Sequence, residues 1–80
     1  MGTRQISNDL FINGRRFIQH GDQWIDSAVE KMPRARRIRV RFDSKEYFDL
    51  IIRHPHDMPI ISGARNLQLA LDNTIYEIYG

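Results

Sequence analysis

The stretch RARRIRVRF, residues 34–42, places five arginines within nine positions. A guanidinium group forms paired, charge-assisted hydrogen bonds with phosphate or carboxylate oxygens, and lysine lacks this planar fork. Arginine also supplies ten of the twelve basic residues of the chain. The stretch therefore predicts a surface that binds nucleic-acid phosphates or an acidic protein. The predicted binding residues are Arg34, Arg36, Arg37, Arg39 and Arg41, with Arg15 and Arg16 as an extension.

The spacing of these arginines suits a nucleic-acid backbone. Side chains at i and i+2 of a strand lie about 6.6 Å apart, and one strand of duplex DNA advances about 3.4 Å per nucleotide. Arg37, Arg39 and Arg41 can thus meet phosphates two nucleotides apart. Exposed aromatic rings beside them would add base stacking. The candidates for stacking are Phe11, Phe17, Tyr47, Tyr76 and Tyr79, whereas Trp24, Phe42 and Phe48 are expected in the core.

The same alternation is also typical of an ordinary solvated strand face, with acids such as Asp49 neutralising part of the arginine row. Like charges in line repel one another at a small cost in stability. An anionic partner would remove that cost, which favours a binding surface over a merely solvated one.

A second group of polar residues, His54-Pro55-His56-Asp57, places two imidazoles and a carboxylate within four positions. Histidine titrates near neutral pH and serves as a general acid or base, so a small ribonuclease using His54 or His56 is one hypothesis. The spacing does not match the i, i+4 pairs of helical metal sites, and no metal is predicted. The chain has no phosphate-cradling glycine loop and no nucleophile motif, so we expect neither a cofactor nor an enzyme.

Composition points to a small cytoplasmic protein. The chain has 80 residues, 41% of them hydrophobic, and no cysteine, which excludes disulfides and thiol chemistry. Its apolar runs are too short to span a membrane, and the first residues lack the apolar core of a secretory signal.

The net charge of +2 conceals an asymmetry along the chain. Residues 1–42 carry nine basic and four acidic side chains, giving +5, whereas residues 43–80 carry three basic and six acidic ones, giving −3. Opposite charges in the two halves also permit a homodimer, with the basic face of one copy against the acidic face of another.

The sequence predicts an α+β domain over residues 8–80, preceded by a flexible segment at 1–7. Asn13-Gly14 predicts a two-residue hairpin turn in which Ile12 faces Arg15 and Leu10 faces Phe17. A helix is predicted over about 22–32, with Asp22 as its cap, Trp24 as its anchor and Pro33 as its end. The predicted sheet is small and mainly antiparallel, with the N-terminal hairpin, a central arginine-rich strand and a C-terminal strand at 74–79.

Two segments fit both helix and strand. Residues 44–53 alternate like a strand, but Asp43 and Glu46 resemble a capping box and Pro55 a helix stop, which favours a helix slightly. Residues 64–71 contain three alternating leucines, yet Ser62 is a plausible helix cap. Residues 54–59 are expected to form a loop.

The motifs FINGRRF (11–17) and RIRVRFD (37–43) resemble the small β-barrel near the C-terminus of Mu-like transposases. That barrel has a short hairpin and then a strand ending in Arg-aromatic-Asp. The resemblance covers about half of the chain, and Ser44 stands where that family tends to place proline. It implies a barrel-like fold and carries no function across.

Three functional hypotheses follow. The leading one is a non-enzymatic domain whose arginine strand contacts RNA or DNA phosphates. The second is a small inhibitor or accessory factor, of the kind that phages and mobile elements encode, acting on a partner protein. The third is a ribonuclease toxin that uses His54 or His56, with arginines holding the scissile phosphate.

Overall fold

The computed structural model describes residues 9–80, which form one six-stranded sheet with both α-helices on one of its faces. The strands are β1 (Asp9–Ile12), β2 (Arg15–His20), β3 (Gln23–Asp26), β4 (Arg36–Arg41), β5 (Leu67–Leu71) and β6 (Thr74–Tyr79). The helices are α1 (Lys45–Arg53) and α2 (Met58–Ile61), with 3₁₀ helices at Ser27–Lys31 and Pro55–Asp57. The α+β class is confirmed, and the segment 1–7 that was expected to be flexible lies outside the described residues.

The sheet is mixed rather than mainly antiparallel. Its strand order is β1-β2-β3-β5-β6-β4, in which β3 runs parallel to β5 and β4 parallel to β6. The arginine-rich strand β4 lies at one edge of the sheet, not at its centre. The described strands stay open between the edges β1 and β4, so they do not form the barrel that the transposase resemblance implied.

The N-terminal hairpin has the predicted register, with Ile12 opposite Arg15 and Leu10 opposite Phe17. Asn13 and Gly14 both have positive φ, 51° and 79°, as a type I′ turn requires. Asp72 and Asn73 repeat this geometry between β5 and β6, with φ of 50° and 63°. Local turn chemistry therefore fixed both hairpins.

The helix predicted over 22–32 is wrong. Gly21, with φ of 65°, begins a tight turn that sends residues 23–26 back along β2 as strand β3. Asp26, not Asp22, caps the following 3₁₀ helix by accepting a hydrogen bond from the Ala28 N–H at 3.0 Å. The adjacent apolar side chains of Trp24 and Ile25 resemble a helical stripe, but here they pack on opposite faces of a strand.

Helix α1 confirms the favoured interpretation of the segment 44–53. Its cap is Ser44, whose hydroxyl accepts the Tyr47 N–H at 3.2 Å, rather than Asp43. Residues 67–71 are strand β5, so the helix considered for that segment does not form. The expected loop at 54–59 instead contains a 3₁₀ helix and the start of α2, with proline in the first turn of each.

The main core lies between the sheet and the two α-helices, on what we call the helix face. It is formed by Phe17, Val40, Tyr47, Leu50, Ile60, Ile61, Leu67, Leu69, Leu71 and Ile78. Trp24 and Phe42 pack at its margin as expected. Phe48, which was also expected in the core, is 50% exposed on the outer side of α1.

The opposite side of the sheet, which we call the open face, is only partly covered by residues 9–80. The 3₁₀ helix Ser27–Lys31 packs Val29 against Ala70 and Ile75 at one end of this face. Toward the other end of β6, Glu77 and Tyr79 stay accessible to solvent. This uncovered part of the open face borders β4.

Candidate functional site

Strand β4 presents its arginines as the alternation predicts. Val40 is buried on the helix face, and Arg37, Arg39 and Arg41 project from the open face. Arg36 precedes Ile38 on the helix side of the strand, and Arg34 lies in the loop that leads into β4. All five arginines are exposed, so the predicted row exists as a surface at the edge of the sheet.

One carboxylate of the neighbouring strand contacts two members of this row. Glu77 forms an ion pair of 2.6 Å with Nη1 of Arg37, and the Nε of Arg39 lies 3.9 Å from its other oxygen. Asp49, which was expected to neutralise part of the row, lies on α1 and pairs with Lys45 at 3.8 Å. Glu77 is thus the partner that sequence reasoning missed, although the alternation of TIYEIY puts it on the open face.

The other arginines of the row form no ion pair with any carboxylate of the described residues. Within residues 9–80, no carboxylate oxygen lies within 4.0 Å of the guanidinium nitrogens of Arg34, Arg36 or Arg41. Five exposed guanidinium groups thus lie along this edge, and among the described residues Glu77 is the acid that pairs with two of them. The local field at this edge is positive, which favours an anionic ligand.

The outer edge of β4 also offers backbone hydrogen-bonding groups. The Phe42 N–H donates to the Tyr79 carbonyl at 2.6 Å, and successive peptide groups of a strand point in opposite directions. The N–H and C=O groups of Arg37 and Arg39 are therefore directed away from β6. The Arg41 carbonyl accepts the Ser44 N–H and hydroxyl instead, at 3.1 and 2.6 Å.

A depression of about 280 Å³ lies beside the row on the uncovered part of the open face. It is lined by Asp22, Gln23, Arg39, Asn66, Gln68, Glu77, Ile78 and Tyr79. Gln68 joins the strands beneath it, donating to the Gln23 side chain at 3.0 Å and accepting from Arg37 at 3.2 Å. The polar floor of the depression is thereby held in place by hydrogen bonds across the sheet.

Tyr79 is the one member of the five proposed stacking residues that stands among the arginines. Its ring lies 4.1 Å from the guanidinium carbon of Arg39, and Arg41 is its neighbour in register on β4. Phe17 and Tyr47 are buried in the main core, and Tyr76 packs against it from the helix face. Phe11 is exposed but lies on β1, at the opposite edge of the sheet.

Arg15 and Arg16 are separated from the row, because β3, β5 and β6 lie between β2 and β4. Arg15 is held inside the fold by Asp26 at 2.9 Å and by the Ala70 carbonyl at 2.8 Å. Arg16 pairs with Asp9 at 2.7 Å. The hairpin therefore does not extend the arginine surface.

The histidine cluster lies on the helix side of the sheet, away from Arg37, Arg39 and Arg41. His54 caps α1, with its ring centroid 6.4 Å from that of Tyr76 and its Nε2 4.0 Å from a carboxylate oxygen of Asp72. His56 lies in the second 3₁₀ helix, where its carbonyl accepts a hydrogen bond from Asn13 at 3.2 Å. The described residues contain no group of three or more potential metal ligands.

Comparisons with known proteins give no relatives. No protein-family model matches the chain, and neither the curated proteins nor the solved structures contain a match. None of the helices in the described part of the chain has the length and apolar character needed to cross a membrane. Functional inference therefore rests on the geometry of the site.

Proposed function

We propose that this chain is a non-enzymatic binding domain that contacts nucleic-acid phosphates through Arg34, Arg36, Arg37, Arg39 and Arg41. The observation that carries the proposal is the charge imbalance at the β4 edge, where five guanidinium groups are exposed and the carboxylate of Glu77 contacts two of them. We further propose that the domain acts in the cytoplasm and needs no cofactor.

The argument for phosphate is electrostatic and geometric. Arginine binds phosphate bidentately, and a row spaced by about 6.6 Å follows a repeating anionic backbone better than it follows a single acidic side chain. Neutralised phosphates release counterions, so affinity for such a partner falls steeply with salt. These contacts position a backbone and by themselves do not read sequence.

The test is a fluorescence-anisotropy titration with labelled RNA and DNA oligonucleotides at several salt concentrations. Arg41→Gln should weaken binding to every sequence and reduce the slope of log affinity against log salt by about 1. The matched control is Arg53→Gln, which removes the same charge from the exposed end of α1. Absence of binding at low salt, or equal effects of the two variants, would contradict the proposal.

Glu77 provides a gain-of-affinity arm of the same experiment. The Glu77 carboxylate forms an ion pair with Arg37 and lies near Arg39. Glu77→Gln should therefore free both guanidinium groups for phosphates and raise the affinity for the oligonucleotides several-fold. Glu46→Gln makes the same charge change at the exposed start of α1. If Glu77→Gln and Glu46→Gln raise the oligonucleotide affinity equally, binding depends on net charge alone, and the arginine row is not the binding site.

An acidic protein partner is the second candidate, in keeping with an inhibitor or accessory factor. The N–H and C=O groups of Arg37 and Arg39 that are directed away from β6 favour it, because an extended acidic segment could add to β4 as a further strand. Gentle purification separates the candidates. An excess of absorbance at 260 nm supports nucleic acid, whereas one stoichiometric protein band without nucleic acid supports the protein partner.

The ribonuclease hypothesis stays a prediction that the placement of its residues does not support. It needs arginines beside His54 and His56 to hold the scissile phosphate, yet Arg37, Arg39 and Arg41 project from the opposite face. Unchanged RNA cleavage after replacement of both histidines would remove it.

A further inference from the structure

Tyr79 is placed where a base attached to a bound backbone would fall. It is 38% exposed on the open face, and its predecessor Ile78 is buried in the main core. Its ring stands beside Arg39 and Arg41, so an aromatic surface lies directly inside the row of cations. The 3₁₀ helix that covers the other end of this face packs on Ala70 and Ile75 and does not cover it.

The depression next to Tyr79 offers two amide hydrogen-bond donors, from Gln23 and Asn66. Gln23 and Asn66 each use their side-chain oxygen within the fold, accepting from Gln68 at 3.0 Å and from the Gly80 N–H at 3.3 Å. Their amide NH₂ groups have no hydrogen-bond partner among residues 9–80. Carboxamides pair with the edges of unstacked bases. The volume of about 280 Å³ is near the lower limit of ligand pockets, about 300 Å³.

The charges around the depression set the orientation of a bound strand. The cations lie on the β4 side, at Arg39 in the lining and Arg41 next to Tyr79, and the acids Asp22 and Glu77 lie on the inner side. A phosphate backbone is attracted to the first side and repelled by the second. The sugar–phosphate chain would therefore follow β4, with its bases directed inward over Tyr79.

We propose that the partner of this surface is single-stranded nucleic acid and that Tyr79 stacks on one of its bases. The inference rests on the proposed function and adds the class of nucleic acid. In a duplex the base faces are already covered by their neighbours, so an aromatic ring on a sheet surface gains no base contact. A single strand can expose a base to Tyr79 while Arg39 and Arg41 hold the flanking phosphates.

The test compares three labelled probes of equal length: a single strand, the corresponding duplex, and a single strand whose bases are replaced by abasic sites. Tyr79→Ala should weaken binding of the single strand about tenfold and leave the duplex and the abasic strand unchanged. Its salt slope should remain that of the wild type, because every arginine is retained. Tyr79→Phe should bind as the wild type does.

Phe11→Ala is the matched control, since it removes another exposed aromatic ring from the far edge of the same face. It should leave all three affinities unchanged. If the abasic strand binds the wild type as tightly as the normal single strand, or if Tyr79→Ala has no effect while Arg41→Gln weakens binding, the single-strand inference is overturned and the proposed function stands. If no probe binds at low salt, the proposed function itself fails.

Discussion

At the scale of single residues, Asp26 organises more of the fold than any residue of the arginine row. Its carboxylate is 2% exposed and accepts from the Arg15 guanidinium at 2.9 Å, the Ala70 N–H at 3.2 Å and the Ala28 N–H at 3.0 Å. These bonds join β2, β5 and the first 3₁₀ helix. A buried carboxylate is tolerated only with such complete partnering.

Replacement of Asp26 should be strongly destabilising. Asp26→Ala removes the acceptor that two backbone N–H groups and Arg15 share, at a cost of about 3–5 kcal/mol. A chain of this size has only about 4–12 kcal/mol of stability in total. Asp26→Asn, which keeps acceptor capacity, should cost less. Urea unfolding measures both.

The control for this prediction is Asp49→Ala, which breaks an exposed pair with Lys45 on α1. Exposed pairs contribute about 0–1 kcal/mol, so this variant should unfold close to the wild-type midpoint. Equal midpoints for the Asp26 and Asp49 variants would show that the buried network is not needed for stability.

The buried hydroxyl of Tyr47 should make the free energy of unfolding depend on pH in the alkaline range. Burial, and to a lesser extent the charge of Asp43, raises the pKa of the Tyr47 hydroxyl above its ordinary value of 10.0. The folded protein then holds this proton more tightly than the unfolded chain does. The stabilisation is complete below about pH 10 and is lost as pH rises through the folded pKa.

The expected result is a free energy of unfolding that declines from about pH 10 upward in the wild type and less steeply in Tyr47→Phe. The variant also loses the 3.4 Å hydrogen bond to the Ile61 carbonyl, so it should be less stable by about 0.5–1.5 kcal/mol near neutral pH. Urea titrations across this range measure both effects. Tyr79→Phe, which removes an exposed hydroxyl, is the control, and identical pH profiles for wild type and Tyr47→Phe would contradict the prediction.

At the scale of elements, the segment 21–33 shows how a local pattern can be misinterpreted. Adjacent apolar residues fit one stripe of a helix, but they also fit a strand buried on both faces. Gly21 decides between these structures, because its positive φ turns the chain back onto β2. By contrast, the Asn13-Gly14 turn has a signal that admits few alternatives, and the N-terminal hairpin was predictable. The signals around α1 favoured a helix only slightly, and they indicated Asp43 rather than Ser44 as its cap.

Gly21→Ala tests this turn. A Cβ at position 21 would touch nothing within 4 Å, so any effect comes from the backbone, whose φ of 65° disfavours a side chain. The expected loss of stability is about 1–2 kcal/mol, measured by urea unfolding. Were residues 22–32 a helix, alanine just before it would be neutral or stabilising. Gly63→Ala is not a suitable control, because a Cβ there would lie 3.0 Å from the Pro59 carbonyl.

At the scale of the whole molecule, the arginine strand occupies an edge that could pair with another copy. Two β4 strands pairing antiparallel would bring like-charged rows together, which disfavours association. The arginines can thus serve two purposes, binding an anion and keeping the edge from self-pairing. The basic-to-acidic homodimer that the charge asymmetry permits stays a prediction.

The double variant Arg39→Thr/Arg41→Thr should self-associate more than the wild type, because threonine favours strands and leaves the edge uncharged. Sedimentation velocity over a range of protein concentrations measures the effect. Lys45→Thr/Arg53→Thr removes the same charge from α1 and should behave as the wild type. Equal association of both variants would indicate that net charge, rather than the edge, keeps the molecules apart.

Residues that are close together along the chain were enough to specify the first hairpin and the two faces of the arginine strand. Asn13-Gly14 specified a hairpin and its register, and the alternation of residues 37–42 specified which arginines project together. These outcomes follow from turn geometry and from the two-residue period of a strand, both of which act over a few residues.

Which distant residues meet depends on the packing of the whole domain. Because β6 lies between β5 and β4, Glu77 and Tyr79 lie beside the arginines of β4. The same strand order places Arg15 on β2, three strands away from the row, where it pairs with Asp26. Strand order follows from burial summed over the whole core rather than from any local pattern. The arginine row was therefore visible in the sequence, whereas its acidic partner, its aromatic neighbour and its place at an edge were not.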